Sequence, residues 1–179
     1  LQEKFGFRLI HFSSSEVYGD YPNIMLESAM DDYEIKQLND YAMSKWVNEM
    51  QIKNSGIQYG TESVVVRIFN TYGPGEYYSP YRSVNCRFLY CALSGLEWTV
   101  FKGHSRTSTY LKDTVNTLSN IIENFIPGET YNIGGKDLHT IEELSEIIID
   151  VTGADPSLVN YKESEVLTTK TKIVDINKS

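Results

Sequence analysis

The chain predicts an α/β fold with a largely parallel sheet. Three observations carry this. Short apolar runs alternate with segments of helical spacing along the 179 residues. Residues 62–69 are nearly continuous in β-branched side chains, the pattern of a strand covered on both faces. The apolar run 8–12 passes into Ser13-Ser14-Ser15, and the carboxyl ends of strands are where ligands gather in open α/β sheets.

Residues 8–13 read as a buried strand, short and closed by serines. Residues 13–19 (Ser-Ser-Ser-Glu-Val-Tyr-Gly) form the loop at its carboxyl end, and 20–36, with Tyr21-Pro22 and several acids, read as a surface excursion. A helix is expected over 39–53, capped by Asn39 or Asp40 and ended by Ser55-Gly56. Its spacing groups Tyr41, Lys45, Asn48 and Ile52 on one face and Trp46, Met50 and Lys53 on another.

The strand 62–69 is broken by the turn residues of Asn70-Thr71-Tyr72-Gly73-Pro74-Gly75. A helix over 83–94 ends at Gly95, and a short strand follows at 98–101. Residues 103–109 read as a polar loop and 110–111 as a brief extended piece. Asp113 is the expected cap of a helix running to about Asn124 and stopped by Pro127-Gly128. Residues 130–133 form a strand closed by Gly134-Gly135. Thr140 and Glu143 make a capping box ahead of a helix on which Ile141, Leu144, Ile147, Ile148 and Val151 keep helical spacing. Further strands are expected at 158–161 and 172–176.

A hydrophobic fraction of 41% excludes a disordered chain, and a net charge of −8 argues against nucleic acid or an anionic membrane as partner. No apolar run reaches membrane-spanning length. Cys86 and Cys91, with only His11, His104 and His139 besides, fit no zinc signature and read as buried free thiols of a reducing, cytoplasmic compartment. Leu1 is not a start methionine, and the chain reads as a piece of a longer protein.

The chemistry centres on Tyr41-Ala42-Met43-Ser44-Lys45. An ammonium beside a phenol favours the phenolate and makes tyrosine a usable base near neutral pH. A helix-surface pair is the alternative reading. No Gly-x-Gly-x-x-Gly or Gly-x-x-Gly-x-x-Gly phosphate loop occurs.

Ser14, Tyr41 and Lys45, with Arg67-Ile68-Phe69-Asn70-Thr71-Tyr72-Gly73-Pro74, Arg106 and Tyr131-Asn132-Ile133-Gly134-Gly135, resemble the extended short-chain dehydrogenases that act as nucleotide-sugar epimerases and dehydratases. The resemblance covers nearly the whole chain. It implies a partial Rossmann-like doubly wound sheet, with a glycine-rich NAD-binding unit preceding Leu1, and a smaller carboxyl-terminal α/β substrate-binding region. Residues 1–70 would belong to the Rossmann part and 71–179 mostly to the substrate region, with 130–133 returning to the Rossmann sheet.

By this resemblance Tyr41 is the base, Lys45 lowers its pKa and reaches the ribose of NAD (or NADP), and Ser14 binds the reacting sugar oxygen. Ser13 would join the cofactor contacts. Ser15, Asn70, Arg82 and Arg106 would bind a nucleotide-diphosphate sugar, the arginines at its diphosphate. Tyr77, Tyr78 and Tyr81 could stack on the base. Glu16 points to 4,6-dehydration through a 4-keto intermediate, because a ketone at C4 makes the C5 proton acidic and a carboxylate can take it. Ser15 stands where dTDP-glucose dehydratases often carry aspartate. A 4-epimerase, a decarboxylase and a non-catalytic binding fragment are the alternatives. A homodimer is implied, with Trp46, Met50 and helix 83–94 as contacts.

Overall fold

In the computed structural model, which describes residues 1–179, the chain runs α1 (Gln2–Phe5), β1 (Leu9–Ser14), α2 (Ala29–Asp32), α3 (Asp40–Tyr59), β2 (Ser63–Ile68), β3 (Thr71–Tyr72), α4 (Val84–Ser94), β4 (Trp98–Phe101), β5 (Ser105–Thr107), β6 (Thr109–Tyr110), α5 (Leu111–Glu123), β7 (Thr130–Ile133), β8 (Leu138–Thr140), α6 (Ile141–Thr152) and β9 (Val159–Lys162). β2 is the centre of a three-stranded parallel sheet in the order β1-β2-β7. Its β-branched run follows from cover on both faces. Val64 and Val66 pack with Ile121 of α5 and with Tyr131 and Ile133 of β7. Arg67, of opposite parity, meets Glu49 of α3 on the other face.

A second layer holds β4 paired in parallel with β9, under α4 and α6. Phe88, Cys91, Trp98, Val100, Ile141 and Ile148 form its core, and Trp98 Nε1 donates to Ser145 Oγ at 2.9 Å. The capping box of α6 is present: Thr140 Oγ1 accepts from Glu143 N and Glu143 Oε2 from Thr140 N. A third cluster, Val17, Tyr18, Met25, Ala29 and Phe69, seats the excursion after β1. Gly19 turns there with φ +50°, where a Cβ would stand 2.0 Å from the Lys36 carbonyl oxygen. No helix is long and apolar enough to cross a membrane.

Several expectations need correcting. α3 runs six residues past Lys53, with Gly56 inside it. The stop is Gly60, which takes φ +64° and donates its N–H to the Gly56 carbonyl. Residues 103–109 are not all loop, because β5 pairs antiparallel with β8. α5 starts at Leu111 without a side-chain cap; Asp113 lies in its first turn, where a carboxylate suits the helix dipole. Residues 172–176 form no strand. Val174 makes an isolated bridge to Met25, with Met25 N donating to the Ile173 carbonyl at 2.8 Å. Cys91 is buried but Cys86 only half-buried, and both are free. Trp46 is half-buried and packs against the Val17–Met25 cluster.

Candidate active site

Asn39 Oδ1 accepts from Ala42 N at 2.9 Å and fixes the start of α3, placing Tyr41 and Lys45 in its first two turns. Lys45 Nζ donates to the Phe12 carbonyl of β1 at 2.9 Å and stands 5.8 Å from the Tyr41 ring centre. Tyr41 is 54% exposed, so its hydroxyl is open to a ligand. The pair shares one helix face, as its spacing requires.

Where β1 ends, Ser15–Tyr18 make one turn of 3-10 helix. Ser14 Oγ caps it, accepting from Glu16 N at 3.2 Å. Glu16 forms an ion pair with Lys172, a residue absent from the sequence-based site. Lys172 is 1% exposed and also donates to Ser15 Oγ at 3.3 Å. Burial pulls its ammonium down to about 8; Glu16 opposes this and Arg106 adds to it.

Beyond this turn lies a cavity of about 230 Å³. Asn70, Arg82 and Arg106 line it together, joined by Arg87, His104 and Glu165. Asn70 holds the strained backbone of the bend after β2, at φ 27°. Its Nδ2 donates to the Thr107 carbonyl at 3.2 Å. Arg106 donates to the carbonyls of Ser105 and Lys170, both at 2.8 Å. Burial lowers its pKa, while Glu16 and Glu165 work the other way, so it belongs to the field of both the cavity and Glu16.

Ser13 departs from the expectation that it contacts cofactor. Its buried hydroxyl donates to Glu49. Glu49 in turn takes Arg67 Nη2 at 2.8 Å and Nε at 3.2 Å, and Arg67 Nη1 donates to Tyr18 Oη at 2.9 Å. Tyr18 Oη donates to Asn132 Oδ1 at 2.8 Å. One polar chain thus ties β1, α3, β2 and β7 beneath the site. A signal for it existed: an arginine inside an otherwise apolar strand needs a buried partner. Arg87 and Lys172 gave none, because neither lies in a motif.

His104 is 2% exposed. The Glu165 backbone N–H donates to its Nε2 at 3.2 Å, so that nitrogen carries no proton and Nδ1 does, facing the Thr169 carbonyl at 3.4 Å. Burial, then Arg106, lower its pKa. The neutral ring is therefore the folded form. Its contribution to stability is full above the ordinary histidine pKa of about 6.5 and is lost as pH falls. Denaturant midpoints measured from pH 7.5 downward should fall below that point. His104→Gln should flatten this part of the decline, and an unchanged slope in the variant would contradict it.

Residues 2–134 match the NAD dependent epimerase/dehydratase family. The chain belongs to this family. Among its epimerase/dehydratase relatives, a UDP-N-acetyl-alpha-D-glucosaminuronate decarboxylase of Bacillus cytotoxicus is 31% identical over 166 residues, covering 89% of this chain and 50% of that protein. The dTDP-glucose 4,6-dehydratase of Escherichia coli is 26% identical over 173 residues, covering 89% and 47%. A crystal structure of a dTDP-glucose 4,6-dehydratase from Streptomyces venezuelae with NAD bound superposes with a TM-score of 0.87 at 25% identity, over 99% of this chain and 54% of that one. The chain spans about half the length of these relatives.

Proposed function

We propose that the protein carries out NAD-dependent modification of a nucleotide-diphosphate sugar, by 4,6-dehydration through a 4-keto intermediate. The observation that carries the reading is Glu16, a quarter exposed at the end of β1, beside the helix that presents Tyr41 and Lys45. Bound NAD supplies a hydride acceptor and donor. The residues here fit the ribose end of that cofactor, since the Tyr41 hydroxyl is open and Lys45 keeps donor hydrogens beyond its bond to Phe12. They include no glycine-rich cradle for its phosphates. Tyr41 takes the proton of the C4 hydroxyl and Ser14 orients that oxygen. Glu16 then takes the C5 proton and returns it to the departing C6 oxygen. The C5=C6 bond forms, the C6–O bond breaks, and water leaves; the hydride removed from C4 then adds to C6 and a proton adds to C5, giving the 4-keto-6-deoxy sugar. Arg82, Arg87 and Arg106 suit the diphosphate, for which planar guanidinium donors are apt.

Residues 1–70 with β7 would serve the cofactor and the rest of 71–179 the substrate; the pairing of β7 with β2 supports this. Free Cys86 and Cys91 agree with a cytoplasmic setting. A homodimer would use the outer face of α3, where Met43 and Val47 are exposed, with Leu93 of α4. Decarboxylation of a uronic sugar is a second reading, favoured by Ser15 in the aspartate position and by two cations, Lys172 and Arg106, near Glu16. Incubation of the protein and NAD with UDP-, GDP-, dTDP- and CDP-hexoses should give a 4-keto-6-deoxy product. A C4 epimer alone would sink dehydration, and a pentose from a uronic sugar would establish the second reading.

A further inference from the structure

Lys172 is the one fully buried ammonium that meets the reacting end of the site. It arrives from a segment with no regular structure, 156 residues from Glu16. Its hydrogen bonds go to Glu16 Oε1 and Ser15 Oγ. Being 1% exposed, it cannot itself touch a substrate. Glu16 is a quarter exposed and can. The ion pair uses Oε1, so Oε2 is the oxygen left for a ligand. The charged groups facing Lys172 are Glu16, from the turn after β1, and Arg106, from β5. Arg106 in turn faces Glu165 beside His104.

We infer that Lys172 is a positioning residue for Glu16: its buried ammonium binds one carboxylate oxygen and thereby aims the other at the sugar. This rests on the dehydration reading. Ser15, already accepting from Lys172, belongs to the same clamp. Because the ammonium is held down to about 8, the clamp opens as pH rises through that value, and dehydration falls with it. Arginine stays charged at every accessible pH and keeps the clamp closed.

The test is the pH profile of 4,6-dehydration by the protein with NAD, for wild type, Lys172→Arg and Lys172→Met. Wild type should lose rate as pH passes about 8, and Lys172→Arg should shift this limb upward by about one unit or more. Lys172→Met should lose about 10²-fold at neutral pH. A second readout needs no turnover: the ε-carbon resonance of 13C-labelled Lys172 should titrate near 8, and Glu16→Gln should lower its midpoint by removing the carboxylate that supports the charge. An alkaline limb unmoved in Lys172→Arg, or a Lys172 midpoint indifferent to Glu16→Gln, overturns the assignment. A wild type that epimerises without dehydrating, with the midpoint still responding to Glu16→Gln, overturns the parent reading instead.

Discussion

Tyr41→Phe should cut turnover by about 10²–10⁴-fold while leaving nucleotide-sugar affinity and thermal stability unchanged. The substitution removes one oxygen and keeps the ring. That ring is half exposed and its neighbour Lys45 is anchored independently, on the Phe12 carbonyl, so nothing in the packing depends on the hydroxyl. The loss should fall on kcat if the Tyr41 hydroxyl is the base proposed above, since a group that acts where the C4 proton leaves adds little to ground-state binding. Steady-state kinetics with the best nucleotide sugar, alongside calorimetric titration of that sugar, separates the two. Retention of more than about a tenth of wild-type kcat would remove Tyr41 from the role of base.

Arg67→Met should lower stability by about 3–5 kcal/mol, the cost of stranding a buried charge. Both partners of the pair have side chains only 4% exposed. Burial works against the arginine's charge, but hydrogen bonds and attraction from Glu49, with Tyr18, hold its pKa above the ordinary value. Deleting it leaves the Glu49 carboxylate supported only by the Ser13 hydroxyl. For a chain of this size the melting temperature should drop by roughly 6–20 °C. The paired change Arg67→Met with Glu49→Leu should recover most of it, since an apolar pair of similar volume often replaces a buried ion pair without loss. A single variant that melts within about 2 °C of wild type would show that the pair is hydrated.

What could be read from the residues depended on the range of the forces involved. β2 was legible because cover on both faces writes itself as consecutive β-branched residues, and α6 because its capping box is local. The end of α3 was ambiguous: Gly56 and Gly60 both look like stops, and only the conformation reached by Gly60 decides between them. Ile173, Val174 and Ile176 imitate a strand, yet they have just one bridge, to Met25. The Tyr41–Lys45 pair and the turn of Ser14 and Glu16 lie in short motifs and stood out. Glu49 is eight residues from Tyr41 and could have been matched to Arg67 by asking where that charge goes. The clamp on Glu16 was invisible, because its two halves meet only through the tertiary fold.

That long reach sets the order in which the site can assemble. Thr169 Oγ1 donates to the Gly19 carbonyl across 150 residues of sequence, and Asp175 N to the Met25 carbonyl across a similar span. Closing such loops costs entropy that only late, cooperative contacts offset. The sheet and α3 rest on contacts nearer in sequence, so Tyr41 can be in place without this segment, whereas the pairing of Glu16 with Lys172 cannot. On gentle heating the same segment should open first, and chemistry should be lost before the core melts.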